Sequence, residues 1–143
     1  MHKMLVAFDG SDNSRRALEY AISLAENAGG GMSLHVVMAH ELPALYGEIA
    51  VYSSEEEVER MQRDHCAGVL AEAEKILAGS KVPFSTQILI GHVGEVLARC
   101  AGENGCDGIV MGTRGMGAIG NLMLGSVATK VIHFAKVPVT LVK

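Results

Sequence analysis

The sequence predicts one α/β domain spanning residues 1–143, an open five-stranded parallel sheet with helices on both faces. Three observations carry that prediction. Strand-type apolar runs alternate with helix-period segments four times before a last strand. The strand runs are almost continuously apolar, as strands covered on both faces are. Turn residues, above all glycine, stand at most junctions between the two patterns.

Each element has its own signal. Residues 3–8 form an apolar run that stops at Asp9-Gly10-Ser11-Asp12, so a buried strand enters a loop there. Ser11 or Asp12 can cap the helix that follows. Ala17, Leu18, Ala21, Ile22, Leu24 and Ala25 recur at helical spacing, and Gly29-Gly30-Gly31 closes the helix. Residues 33–38 are a second strand. Residues 40–52 carry Pro43 and Gly47 without a period and read as a loop suited to a lid or contact surface. Ser53 or Ser54 then opens a helix whose first residues, Glu55, Glu56 and Glu57, favour the positive end of its dipole. Val58, Met61, Val69, Leu70, Ala73, Ile76 and Leu77 mark its buried stripe, and Gly79 ends it. Residues 84–90 are a third strand, 91–94 a turn, 95–102 a short helix and 108–111 a fourth strand. A glycine-rich loop over 112–125 leads to a last helix, 126–135, and a last strand, 137–142.

Composition narrows the function. The chain is 49 % hydrophobic with a mean hydropathy of +0.27, which excludes global disorder. A net charge of −4 and six aromatic residues without tryptophan argue against a nucleic-acid binder. No apolar run approaches the roughly 18–20 residues that cross a bilayer, so no membrane partner is expected. The first apolar run is too short for a secretory signal. Cys66, Cys100 and Cys106 are odd in number and form no Cys-x-x-Cys, so the expectation is a reducing cytoplasm without disulfides. Zinc-type spacing is absent, and no metal ligand set is read.

In open sheets of this kind ligands bind at the carboxyl ends of strands, where the strand order reverses. That directs attention to the loops after the first and fourth strands. The second of these holds Gly112, Gly115, Gly117, Gly120 and Gly125 between a buried strand and a helix. Glycines let a backbone approach a ligand closely, and the amides at a helix N-terminus suit anionic oxygens. Gly115 and Gly120 have P-loop spacing, but Asn121 and Leu122 stand where Lys and a hydroxyl are needed. Gly115, Gly117 and Gly120 match a dinucleotide fingerprint, yet no acid follows Asp107 to hold the ribose. Both readings fail. Residues 108–143 carry Arg114, Lys130, Lys136 and Lys143 and no acid, a local +4 in an acidic chain. That balance suits a small polyanion.

The remaining spacing, Gly112-x2-Gly115-x9-Gly125-Ser126, resembles the ATP-binding signature of the universal stress protein family. Val6-Ala7-Phe8-Asp9-Gly10-Ser11, Leu34-His35-Val36-Val37 and the run from Asp107 to Gly112 are similar to further pieces of that family, so the resemblance covers the whole chain. It implies strand order 3-2-1-4-5, which makes the first and fourth strands neighbours. It implies that the Asp9 carboxylate and the Val36 backbone meet the adenine and ribose end of ATP, and that Met111 and Gly112 lie along the nucleotide. Gly115, Gly125, Ser126 and Val127 would hold the phosphates, with Arg114 beside them and Mg2+ as companion ion. Ala7 and Phe8 depart from the Pro-Thr found before the aspartate in other members.

From spacing alone Asp9 serves equally as a helix cap or a ligand contact, and the resemblance favours the ligand. Asp12 reads as an exposed cap, and His35 as a satisfied core histidine. His65, Cys66, His92 and His133 have no partner motif. The expected function is a cytoplasmic, ATP-binding regulatory protein of the stress response, without catalytic residues and with slow ATP hydrolysis at most. A weak ATPase or nucleotidyl- or phosphotransferase on the same site, and a nucleotide-independent interaction module, are the alternatives. A homodimer is expected through Val137-Pro138-Val139-Thr140-Leu141-Val142, apolar on both faces at a sheet edge, beside a further protein partner.

Overall fold

The computed structural model describes residues 1–41, 54–114 and 124–143. Five strands, β1 (His2–Ala7), β2 (Met32–His40), β3 (Phe84–Ile90), β4 (Gly108–Gly112) and β5 (Val139–Val142), form one sheet of order β3-β2-β1-β4-β5. Every pairing is parallel. Helices α1 (Asp12–Asn27), α2 (Glu55–Ala78), α3 (Val93–Glu103) and α4 (Ser126–Phe134) connect them. Both the fold class and the strand order match the expectation.

The alternation of side chains along each strand splits the core in two. Val6, Val36 and Val110 pack with Leu18, Leu70 and Leu77 of α1 and α2. Their neighbours Leu5, Val37 and Ile109 pack on the opposite face with Leu97 of α3 and Val131 of α4. Fully burying one such side chain contributes on the order of 1.5–3 kcal/mol, so the three central strands anchor both layers. Cys66, Cys100 and Cys106 are buried and free, and burial raises each thiol's pKa. His35 is buried and satisfied: Nε2 lies 2.9 Å from Gln87 Oε1, and Nδ1 2.7 Å from Ser85 Oγ. It is a core histidine, as expected.

Helix starts follow their caps. The Ser11 hydroxyl accepts the Ser14 N–H at 3.2 Å. Ser54, one of the two caps read for α2, forms a capping box with Glu57.

Three boundaries differ from the reading by two residues, and the others by one at most. β2 continues to His40 because Ala39 and His40 still pair with Leu89 and Ile90 of β3. α3 begins at Val93, two residues early, because Glu41 Oε1 accepts the Val93 N–H at 3.1 Å from across the sheet end. β5 begins at Val139, not 137; Pro138 has no N–H to donate, and its carbonyl accepts the Ile109 N–H at 2.9 Å. His40 thus belongs to a strand. Residues 42–52 of the expected loop, and Ser53, the other cap read for α2, lie outside the described residues.

Candidate functional site

Because β1 lies between β2 and β4, the loops after β1 and β4 leave the sheet side by side. α1 then crosses one face, and the chain after β4 returns through α4 on the other. The opening between them is a cleft of about 720 Å³. Among the described residues it brings together Asp9, Met111, Gly112, Arg114, Gly125, Ser126 and Val127. Seven of the nine expected site residues therefore share one surface. Gly115 lies outside the described residues.

Val36 is not among the residues lining the cleft, and its side chain points into the core. Its register partner on β1 is Val6, three residues before Asp9, and it is fully buried in the α1/α2 core. β2 outruns β1 at this end, so Val37 to His40 form that wall of the cleft instead.

The β1 loop is held by its own side chains. Asp9 Oδ1 accepts the Ser11 N–H at 2.9 Å, and the Asp9 N–H reaches Ser14 Oγ at 3.3 Å. Gly10 makes the turn with φ of +83°, a conformation L side chains rarely adopt. The Asp9 carboxylate thus braces the start of α1 and lines the cleft as well.

The β4 side is tied from two directions. The Thr113 N–H donates to the Val142 carbonyl at 3.0 Å, and the Gly125 N–H to the Thr113 carbonyl at 2.7 Å. The second bond fixes the N-terminus of α4 against the tip of β4. Gly125 is the N-cap of α4 and provides no side-chain cap, and the first turn has no acid. The amides at this end are unlike those of α1 and α2, which serine hydroxyls cap.

Asn13 is a bracing residue behind the cleft that sequence reasoning missed. It is buried in the first turn of α1, and its Oδ1 accepts both Thr113 Oγ1–H at 3.2 Å and the Arg114 N–H at 3.0 Å. A polar residue four before Ala17 and eight before Ala21, on the buried stripe, was the available signal. Asn13→Ala leaves a buried hydroxyl and a backbone N–H without this acceptor. The expected cost is about 2 kcal/mol, or a drop of roughly 6 °C in Tm, read by thermal unfolding; an unchanged Tm contradicts the bracing role.

A model of the universal stress protein family matches residues 1–143. The chain belongs to the universal stress protein family. It is 39 % identical over 142 residues to a universal stress protein of Thermus aquaticus, covering 98 % of this chain and 97 % of that one. Its fold is similar to that of the universal stress protein UspA from Lactobacillus plantarum, with a TM-score of 0.84 at 20 % identity over 99 % and 97 % of the two chains. It is also similar to the universal stress protein from Archaeoglobus fulgidus whose structure is a complex with dAMP. That match has 25 % identity, a TM-score of 0.68 and coverage of 100 % and 98 %.

In this universal stress protein the cleft has walls of mixed charge. Glu41 and His40 come from the end of β2 and Glu72 and His65 from α2, with Arg15 of α1 paired to Glu72 at 2.9 Å, whereas Arg114 and the α4 amides come from the β4 side. The α4 amides suit an anion. Among the described residues no group of three or more His, Cys, Asp or Glu converges as a metal site, and no helix is long and apolar enough to cross a membrane.

Proposed function

We propose that the cleft binds an adenine nucleotide, ATP with Mg2+ foremost, and that the protein is a nucleotide-dependent regulator of the stress response in the cytoplasm. The observation that carries this reading is the uncapped, acid-free N-terminus of α4, held beside Gly112 and Arg114 in one cleft with Asp9. Ser126, Val127 and Gly125 would take the phosphates, with Gly115 of the same signature, and Met111 and Gly112 would lie along the nucleotide. Asp9 and the Val36 backbone would meet the nucleoside, with the end of β2 beside them. Asp12 is engaged by Arg15 at 3.0 Å and is left out of the ion's shell. Mg2+ would be held by phosphate oxygens with the Ser126 hydroxyl at hand, and would supply charge neutralisation. The dAMP-bound relative supports an adenine nucleotide in a protein of this fold.

The test is identification of the small molecule released on denaturing the purified protein, with calorimetric titration of ATP into the emptied protein. Released adenine nucleotide and saturable ATP binding support the proposal; no binding at millimolar ATP overturns it in favour of an interaction module.

Phosphoryl transfer needs a group that orients the nucleophile near the terminal phosphate. The described phosphate end has Arg114 and Ser126 but no carboxylate or imidazole. Steady-state hydrolysis is expected far below the ~10 s⁻¹ of a typical enzyme. Turnover at about 1 s⁻¹ or faster, lost on Ser126→Ala or Arg114→Ala, would make the protein an enzyme.

A homodimer through residues 137–142 belongs to the same proposal, together with a protein partner that reads the nucleotide state. Among the described residues β5 pairs only with β4, and Val139 and Leu141 pack partly against the α3/α4 core. Val139→Lys with Leu141→Lys is expected to give monomers by light scattering; a native protein already monomeric at micromolar concentration contradicts the dimer.

A further inference from the structure

We infer that Arg15 and Glu72 set the charge selectivity of the cleft, Arg15 being a phosphate contact that Glu72 holds until a polyphosphate ligand displaces it. The inference rests on the nucleotide reading above. Arg15 stands in the first turn of α1 and Glu72 midway along α2, and both line the cleft. Arg15 Nη1 donates to Asp12 Oδ1 at 3.0 Å and Nη2 to Glu72 Oε2 at 2.9 Å. The Glu72 bond is the first cause of the raised Arg15 pKa, so the guanidinium remains charged throughout. Val69, one helical turn before Glu72, reaches the Gly10 position. The ion pair therefore spans α1 and α2 beside the Asp9–Gly10 turn.

Arg114 comes to the same turn of α1 from the other wall. Its backbone N–H is held by Asn13, two residues before Arg15. The first turn of α1 is thus flanked by the two arginines that line the cleft among the described residues. The same lining carries three carboxylates, Asp9, Glu41 and Glu72. With Arg15 engaged by Glu72, a polyanion entering the cleft meets those acids with Arg114 as its main counter-charge. Exchange of Glu72 for phosphate frees the Arg15 donors for the ligand and leaves the half-exposed Glu72 carboxylate to water. It is also the cheaper contact to lose. The pair is half exposed, at 39 % and 51 % of side-chain surface, and such pairs contribute little, whereas a guanidinium on phosphate makes a forked, charge-assisted contact.

The test compares ATP and adenosine affinities of the full chain by calorimetry, in the native protein, Glu72→Gln, Arg15→Gln and the double variant. Glu72→Gln is expected to tighten ATP about fivefold and leave adenosine unchanged. Arg15→Gln is expected to weaken ATP by about the same factor, and Glu72→Gln to have no effect on ATP in the Arg15→Gln background. Arg15→Lys, which keeps the charge without the fork, falls between native and Arg15→Gln. Equal changes for ATP and adenosine, or a Glu72→Gln effect that persists without Arg15, overturn the inference while the nucleotide reading stands. Failure of the native protein to bind either ligand overturns both.

Discussion

Gly125→Asp is expected to move stability and ligand affinity in opposite directions. Gly125 is the N-cap of α4 with φ of −73° and ψ of 165°, extended backbone that aspartate adopts without strain. Aspartate is a better N-cap than glycine and complements the helix dipole, so the fold gains about 0.5 kcal/mol or slightly more. Tm rises by roughly 2 °C. The same carboxylate then occupies the anion position. Two like charges about 4 Å apart repel by about 4 kcal/mol at an effective dielectric constant of 20, so ATP affinity falls a hundredfold or more, while adenosine affinity changes little. A variant that binds ATP normally would show that the phosphates lie elsewhere. Gly125→Val should also weaken ATP, by blocking backbone approach, without the gain in stability.

Gly112→Val is expected to have the largest effect on the fold itself. A Cβ on Gly112 would lie 2.7 Å from Asn13 Cβ and 3.1 Å from the Asn13 carbonyl carbon. Both belong to α1, so relief requires the helix to move away from β4 rather than one side chain to rotate. Overpacking of this kind costs about 3 kcal/mol, or a Tm lowered by roughly 10 °C. The shift also pulls Asn13 from Thr113 and Arg114 and so loosens the cleft. Thermal unfolding measures the first effect and ATP titration of the folded variant the second. Native stability in Gly112→Val would mean that helix and strand are not in this close contact.

The elements and residues legible in the sequence are those whose signals are local. Val6 and Val110 alternate with Leu5 and Ile109 within single strands, so the two-faced sheet is written in each run. The glycines at 112 and 125 mark a close approach and an uncapped helix start within one segment. The features not legible there depend on partners far along the chain. The wall formed by Val37 to His40 follows from the β1–β2 register, which no residue in either strand encodes by itself. Asn13 acts on Thr113 and Arg114, a hundred residues away. The start of α3 depends on Glu41, whose carboxylate receives the Val93 amide across the sheet end. In the last two cases a side chain satisfies a backbone group of another segment, and the spacing within one segment carries no trace of it.

The central claim is that nucleotide phosphates rest on the α4 N-terminus beside β4. The most direct measurement is an ATP titration of ¹⁵N-labelled protein followed amide by amide. The largest shifts are expected at Gly112, Ser126 and Val127, with smaller ones at Asp9, and adenosine alone should move Asp9 and leave Ser126 and Val127 in place. ATP that binds while the amides of Ser126 and Val127 remain unmoved would contradict the account.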